Sequence, residues 1–441
     1  MVDRRGGIVI LLNLFSCIVG VINLAALDNV LLHNIYISVV SIVLVLTLVQ
    51  EKQSWIRPHS YLILSFYVFV WMRYILNLFL NIDIISIGDG INFRNTSLVA
   101  VYLGFAMNII CITSVVTEGT FTQHRIALFE SEYRITVSGF VEKLIVGIAI
   151  CFFVIFLIDS VKKISIVNSA DYLAVSETLL TQGYRYFSMG KHLLILWILF
   201  GKDKNRFFKA STILMIASIG YLMRGARGYA IMYIFMWILF FSFDHRIRLI
   251  PLLVLGVALI YLANFILSYR LGWSVATGFG DIVVSTLNSQ GSSVEPVFGS
   301  VIFREEILPQ FSIHELFTRN DFGIIVDRVR GTGFEMGGFG SSYFAETFFL
   351  EAPLGLIVLI FTGMCSGILE CAYKAVKHIG KHLEYSQIIL YMTIPNLIYL
   401  GRSSIKDFVF KTMATVIILV VLQDIAYYRA DLGDVMKKEN I

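Results

Sequence analysis

The chain has 441 residues, of which 57% are apolar and only 15% are charged, and its formal net charge is +4. A soluble domain carries roughly 25% charged residues, so this composition excludes an ordinary soluble protein. A nucleic-acid-binding protein is also excluded, because the excess positive charge is small and the basic residues lie beside apolar runs. We therefore expect an all-α, polytopic integral membrane protein.

Apolar runs of about 20 residues, each long enough to cross a ~30 Å hydrocarbon core, recur along the chain. They divide it into a membrane domain over 1–269, a large outer loop over 270–352 and a second membrane part with a tail over 353–441. The runs predict about twelve transmembrane helices: 7–26, 29–50, 59–80, 96–117, 141–159, 187–201, 208–223, 227–243, 248–269, 353–374, 387–401 and 405–427.

The distribution of Lys and Arg predicts the orientation of these spans. Cytoplasmic loops retain positive charge, so alternate loops should be basic. With the N-terminus inside, stretches such as "GKDKNRFFK", "DHRIRL" and "KAVKHIGKH" fall in the cytoplasm. This side then holds more Lys and Arg than the opposite side does. Both termini are therefore expected in the cytoplasm, and the large loop on the outer side.

Several arginines lie where a membrane protein usually avoids positive charge. The turn "RGARG" and the turn with Arg402 face the outer side in this topology, and Arg270 follows the ninth span. Basic residues are disfavoured in short outer loops and cost about 2.5–3.5 kcal/mol inside a span. Binding to a membrane lipid phosphate explains one arginine of this kind, but five together favour a shared anionic ligand. Arginine suits this role because its planar guanidinium binds phosphate through two hydrogen bonds. The five are Arg73, Arg224, Arg227, Arg270 and Arg402.

The segment 270–352 is the second informative region, because most other outer connections are much shorter. Loops of this length without a role are uncommon. It contains an amphipathic stretch over 312–331 and ends in "GTGFEMGGFGSSYFAETFFLEAPLG". The glycines indicate backbone that turns tightly or approaches a ligand, or else a flexible connection to the tenth span. No strand precedes them, so they do not form a dinucleotide-binding fingerprint.

The end of this loop resembles the bacterial O-antigen polymerases, the Wzy-type family of oligosaccharide repeat-unit polymerases. The resemblance rests on a Gly-x-Gly-x-Ser run, then Ala-Glu, aromatic residues and Gly355. It departs from the family at Glu351–Pro353, where a Phe-Gly pair is usual. The "RGARG" turn and the many spans around one large loop also match. The resemblance places these loop residues near the substrate: Gly338, Gly340, Ser341 and Ser342.

The resemblance implies a reaction and its partners. Such enzymes transfer a growing glycan from undecaprenyl diphosphate onto the non-reducing end of an incoming lipid-linked repeat unit. The five arginines would hold the donor diphosphate and stabilise the charge of the leaving group. A chain-length regulator is implied as a further partner. The implied location is the bacterial inner membrane, with the active site facing the periplasm.

The acceptor hydroxyl needs a positioned base in this reaction. Glu346 lies beside glycine-rich backbone, and the imidazole of His314 belongs to a class that titrates near neutral pH, so these two are the candidate catalytic residues. The outer segments offer four further candidate bases, but a lone loop carboxylate is most often solvated, and we expect this of them: Asp281, Glu295, Glu305 and Glu306. The outer segments contain no HExxH motif, His/Cys metal spacing or acidic cation cluster, so we expect a transferase without metal or cofactor.

Two other functions remain open from the sequence. An O-antigen ligase-like transferase would share the loop, the arginines and the donor, and would differ only in the acceptor. A lipid-linked oligosaccharide flippase would also need a cationic cavity, but it should show two matching halves and short loops. The sugars, their linkage and the oligomeric state do not follow from the sequence.

Overall fold

The structure is a computed structural model. It describes residues 4–49, 56–84, 92–124, 138–167, 172–200, 205–223, 227–245, 278–317, 322–329, 342–350, 353–379 and 384–413, together with 254, 256–258, 260–262, 265 and 417. Within these ranges every regular element is helical and no strand occurs. The all-α prediction is therefore confirmed.

Seven helices of the described chain are long and apolar enough to cross a membrane. They are Arg5–Ala25, Val30–Val49, Pro58–Leu80, Phe93–Phe121, Gly139–Lys162, Arg206–Met223 and Leu354–Lys377. Two shorter apolar helices are Gly228–Phe243 and Gln387–Ile398. The prediction of a multi-pass membrane protein is confirmed, whereas the predicted number of spans is not. Most of the predicted spans 248–269 and 405–427 lies outside the described residues.

The α-helices are numbered here in chain order. They are α1 (Arg4–Ala25), α2 (Val30–Val49), α3 (Pro58–Phe66), α4 (Met72–Leu80), α5 (Phe93–His124), α6 (Gly139–Val167), α7 (Tyr172–Phe200), α8 (Arg206–Ala217), α9 (Ile219–Met223), α10 (Arg227–Asp244), α11 (Phe279–Gln290), α12 (Glu295–Ile302), α13 (Arg304–Ile307), α14 (Phe322–Val329), α15 (Tyr343–Phe349), α16 (Leu354–Ile379), α17 (Glu384–Ile398) and α18 (Ile405–Phe408). The π-helical turns are Tyr67–Trp71 and Val409–Met413, and the 3₁₀ turns are Gly291–Val294, Ile313–Phe317 and Leu400–Arg402.

The third apolar run forms one continuous span made of α3, a π-helical turn and α4. Pro58 occupies the start of α3, where its missing N–H costs no hydrogen bond. Asn81 ends α4 in the left-handed conformation, with φ of 52°. Asparagine tolerates this conformation better than most residues, so it suits the end of a helix. The π-helical turn ends two residues before Arg73, and such turns often accompany functional positions.

The chain divides into two compact units. The first consists of 1–130, 287–378 and 392–425. In it α1 packs against α2 and α5, and α5 also contacts α12. Gly363 and Gly367 let α16 approach α5 closely, since a Cβ at Gly363 would lie 2.7 Å from the Ile110 carbonyl oxygen. Small residues four apart are a common means of close helix packing in membranes.

Part of the predicted large loop belongs to the interior of this first unit. α12 packs against α14 and α15, and the 3₁₀ turn Gly291–Val294 contacts the π-helical turn of the third span. Val294, Val297 and Phe298 are fully or almost fully buried. The sequence predicts a partly helical loop, and the described part of 270–352 consists mainly of short helices. These helices bring loop residues against the arginine-bearing span.

The second unit consists of 131–286, 379–391 and 426–441. Its helices α6 and α7 pack together along their length, and α8 packs against α10. Phe187 lies at the centre of an aromatic cluster, with its ring centroid 4.8 Å from that of Tyr221 and 5.3 Å from that of Phe156. Burial of these rings supplies much of the packing between helices of this unit.

Candidate functional site

Arg73 belongs to α4, the last part of the third span, and its buried guanidinium donates to three acceptors. Its Nε donates to the carbonyl oxygen of Asn288 at 3.0 Å, and its Nη1 donates to the carbonyl oxygen of Ile84 at 2.9 Å. Nη1 also lies 2.5 Å from Oε1 of Glu295. These contacts use three of the five N–H donors of the guanidinium. Arg73 therefore joins the span to the segment that leads into α12.

Glu295 begins α12 and is 0% exposed. A buried carboxylate needs a cation or hydrogen bonds, and here it forms an ion pair with Arg73. Its position in the first turn of a helix adds favourable interaction with the helix dipole. The expectation that Glu295 is solvated is therefore wrong, because α12 packs inside the first unit. Asp281, Glu305 and Glu306 are exposed, as expected.

Arg402 lies on the 3₁₀ turn Leu400–Arg402 and is half-buried. Its Nη1 donates to Oε1 of Gln290 at 3.4 Å, and its guanidinium carbon lies 6.0 Å from the ring centroid of Phe69. The neighbouring Gly401 donates its backbone N–H to the Ser65 hydroxyl at 3.0 Å. A Cβ at Gly401 would lie 2.8 Å from that of Phe69, so the turn packs closely on the third span.

Arg73 and Arg402 converge on one short segment, residues 288–295. They contact Asn288, Gln290 and Glu295 of this segment, although they are more than 300 positions apart in the chain. The charge of Arg73 is balanced by Glu295, whereas the contacts recorded for Arg402 are to a neutral amide and an aromatic ring. The described part of this cluster thus has an excess positive charge, which favours an anionic ligand.

The side chains of the other three predicted arginines lie outside the described part of the structure. Arg227 is the first residue of α10, but its side chain lies outside the described part of the structure. Arg224 and Arg270 lie wholly outside it. The prediction that all five arginines form one pocket thus stays a prediction for these three. The same applies to Gly338, Gly340 and Ser341 of the glycine-rich segment.

Glu346 lies on α15 and is 1% exposed. Its Oε2 accepts a hydrogen bond from the backbone N–H of Ile405 at 2.6 Å. That N–H begins α18, three residues after Arg402, and α15 also packs against the turn Leu400–Arg402. Ser342, the last of the four predicted loop residues, is buried and accepts the backbone N–H of Glu346. Glu346 therefore links the end of the large loop to the Arg402 turn.

Two tyrosines fix α15 on its neighbours. Tyr102 of α5 donates to the Phe344 carbonyl oxygen at 2.9 Å, and Tyr343 lies 2.5 Å from the Thr362 hydroxyl of α16. Burial raises the pKa of the Tyr343 phenol well above its ordinary value. Tyr343 therefore stays protonated at physiological pH and acts here as a positioning group for α15.

His314, the second candidate base, lies in the 3₁₀ turn Ile313–Phe317 and is exposed. The turn contacts α18, so it lies in the same unit as Glu346. Over the described ranges, no group of three or more His, Cys, Asp or Glu side chains is suited to hold a metal ion. The expected independence from metal remains a prediction for experiment.

The first unit contains a second set of buried and half-buried charges that no motif in the sequence indicates. Arg57 and Glu370 form an ion pair at 3.2 Å, with both side chains at most 2% exposed, and Lys374 pairs with Glu118. Glu370 lies inside an apolar run, and an ionisable residue in such a run is itself a signal of a paired or functional group. A search for acidic residues inside the apolar runs, and not only for arginines, would therefore have found Glu370.

Comparison with known proteins identifies the family. A family profile described as O-antigen polysaccharide polymerase Wzy matches residues 7–326, which is well over half of the chain. The chain belongs to the O-antigen polymerase Wzy family. The Wzy match includes Arg73, Glu295 and His314, and it ends before Glu346 and Arg402. The glycine-rich segment that carries the resemblance in sequence therefore lies beyond the matched residues.

One curated relative, an O-antigen polymerase of Escherichia coli, is 34% identical over 267 residues. The alignment covers 59% of this chain and 60% of the relative. The Wzy chain therefore matches somewhat over half of the length of this relative. No solved structure matches the chain. Membership of the family rests on the profile match over residues 7–326.

Proposed function

We propose that this chain polymerises O-antigen repeat units at the periplasmic face of the bacterial inner membrane. It transfers the growing glycan from undecaprenyl diphosphate to the non-reducing end of an incoming lipid-linked repeat unit. The observation that carries this proposal is the convergence of Arg73 and Arg402 on residues 288–295, in a chain of the Wzy family. In the proposed orientation both termini lie in the cytoplasm, and a chain-length regulator is a partner.

The arginines bind and stabilise the diphosphate leaving group in this proposal. Arg73 keeps its Nη2 donors for a phosphate oxygen, since the described contacts use Nε and Nη1. Arg402 contributes a positive charge that contacts a neutral amide and an aromatic ring in the described part of the structure. Arg224, Arg227 and Arg270 complete the set on the basis of the sequence. Fixed cations aimed at developing negative charge are the largest single source of catalysis in many enzymes.

The reaction forms one bond and breaks one. The acceptor hydroxyl oxygen attacks the anomeric carbon of the donor glycan, and the bond between that carbon and the phosphate oxygen breaks. The electron pair leaves with the lipid diphosphate, and the hydroxyl proton passes to a base. Glu346 is the proposed base, because it is buried and lies next to the Arg402 turn. His314 is the second candidate, and its exposure gives it a less defined environment.

Reconstitution tests the proposal directly. Purified protein in liposomes, given the lipid-linked repeat unit, should produce a ladder of longer lipid-linked glycans. An excess of EDTA over trace metal should leave the ladder unchanged, because arginines supply the positive charge. Loss of the ladder that Mg²⁺ or Mn²⁺ restores would contradict this account. Transfer of glycan only to a lipid A-core acceptor would indicate a ligase, and transbilayer movement without elongation a flippase.

Replacing Glu346 with glutamine separates its two roles. The amide oxygen of glutamine still accepts the Ile405 N–H, so the Arg402 turn should stay in place, while the base is lost. General-base catalysis contributes typically about 10²–10⁴-fold, so the turnover number should fall within this range with KM little changed. The exposed Glu306→Gln is the matched control and should be neutral. A fully active Glu346→Gln enzyme would show that Glu346 only positions the turn.

A further inference from the structure

A polar cavity of about 510 Å³ lies in the first unit, where α2 and α5 begin and α4 ends. This volume is within the ~300–1,000 Å³ typical of small-molecule sites. In the proposed topology these helix ends are on the outer side, as is the large loop. The polar residues that line the cavity are His33, Asn34, Asn77, Asn81, Asp83 and Thr96.

The lining has the chemistry of a carbohydrate site. Asparagine amides and a threonine hydroxyl both donate and accept hydrogen bonds, as sugar hydroxyls require of their partners. Phe79 and Phe93 add aromatic surface on which the apolar face of a sugar ring packs. The described lining includes one carboxylate, Asp83, and no lysine or arginine. It therefore suits an uncharged polyol better than a phosphate group.

Parts of the wall are fixed in place before any ligand binds. The Nδ1 of buried His33 lies 2.9 Å from the Ser97 hydroxyl, and its ring packs edge-on against Phe93 with 5.0 Å between centroids. Asn77 donates from Nδ2 to the Ile82 carbonyl oxygen at 3.0 Å, which holds the turn after α4. Groups held in this way bind a ligand without a large ordering cost.

The cavity adjoins the proposed diphosphate site. Ile84 lines the cavity, and its carbonyl oxygen accepts the hydrogen bond from Arg73 Nη1. A second cavity, of about 430 Å³, is lined by Asp28 and Asn29 of the α1–α2 turn and by Arg94 of α5, which are sequence neighbours of residues in the first. A ligand that carries several sugars next to a diphosphate fits this succession of sites.

We propose that the cavity between the outer ends of α2, α4 and α5 binds the glycan of a lipid-linked oligosaccharide. Asn34, Asn81 and Asp83 hydrogen-bond the sugar hydroxyls, and Phe79 packs against a ring. The identity of the glycan rests on the polymerase function proposed above. The location of the site rests on the lining residues and on the contact of Ile84 with Arg73.

The test uses the full chain in nanodiscs and the free repeat-unit oligosaccharide, released from its lipid diphosphate by mild acid. Saturation-transfer NMR should show binding that is about 3- to 10-fold weaker in Asn34→Ala and in Phe79→Ala, since each change removes one contact. Asn95→Ala and Phe410→Ala are matched controls and should bind normally. Asn95 is half-buried and Phe410 is 59% exposed, against 76% for Phe79, and neither lines the cavity.

A second measurement does not depend on the stability of the alanine variants. Cysteine in Phe79→Cys should react with a membrane-impermeant maleimide, and the oligosaccharide should slow this reaction. Equal NMR binding by the cavity and control variants, or protection by phosphatidylglycerol vesicles but not by the oligosaccharide, would overturn the proposal. The two proposals fail separately: a chain that binds the oligosaccharide without elongating it contradicts the polymerase alone. Elongation with an unchanged KM for the lipid-linked oligosaccharide in the cavity variants contradicts the cavity alone.

Discussion

Arg73→Ala should destabilise the protein by about 3–5 kcal/mol, because the buried Glu295 carboxylate then loses its guanidinium partner. The loss should appear as a lower melting temperature in detergent and as lower abundance in the membrane. Replacing both residues, as Arg73→Met with Glu295→Leu, removes both charges and should recover most of the stability, since apolar replacements of a buried pair are often neutral. Polymerisation per folded molecule should stay low, because the guanidinium proposed to bind the diphosphate is absent.

The other buried ion pair provides the control for this double replacement. Arg57 and Glu370 are as deeply buried as Arg73 and Glu295, but Arg57 precedes the third span and Arg73 lies near its other end. Arg57→Met with Glu370→Leu should therefore leave the activity per folded molecule unchanged. Full activity of the stable Arg73→Met, Glu295→Leu protein would mean that Arg73 has only a structural role.

Gly291→Ala tests the position of Arg73 without changing any charge. A Cβ at Gly291 would lie 2.8 Å from Arg73 Cγ, so the arginine must move away from its acceptors. Gly280→Ala has open space around the new methyl group and should be neutral or slightly stabilising. The polymerisation rate of the two variants, compared at equal abundance, then reports the effect of moving Arg73.

Arg224→Gln and Arg227→Gln should each lower the polymerisation rate by about 10–150-fold. Each change removes charge-assisted bonds of roughly 1.5–3 kcal/mol, which reduce the rate if they strengthen in the transition state. Lysine should restore the rate only in part, because it keeps the charge and loses the planar fork. The start of α10 at Arg227 also places backbone N–H groups there, which favour an anion.

Exposed Arg328→Gln, in the large loop, is the matched control for these two variants and should leave the rate unchanged. An arginine that only anchors to lipid headgroups should tolerate lysine, and often glutamine, with little loss. Full-length glycan from both Arg224→Gln and Arg227→Gln at normal abundance would therefore show that the "RGARG" turn does not bind the donor.

The sequence is a good guide to features that depend on local composition. The predicted runs 7–26, 29–50 and 59–80 coincide closely with the helices of the structure, because apolar length decides which segments enter a membrane. It is a poorer guide to polar helical segments. The predicted span 187–201 is the end of α7, which begins at Tyr172. The first part of α7 contains Ser, Glu, Thr, Gln and Arg, which give no hydropathy signal.

The sequence by itself determined the membrane class, most of the apolar helices, the resemblance to the Wzy family and the unusual arginines. Only the tertiary structure decided what those arginines contact. Glu295 meets Arg73 across 222 positions, and Ile405 meets Glu346 across 59. The cavity proposed to bind the glycan likewise joins the ends of three helices. Spacing along the chain does not encode such contacts, because they depend on how separate helices pack, whereas hydropathy is a property of each segment alone.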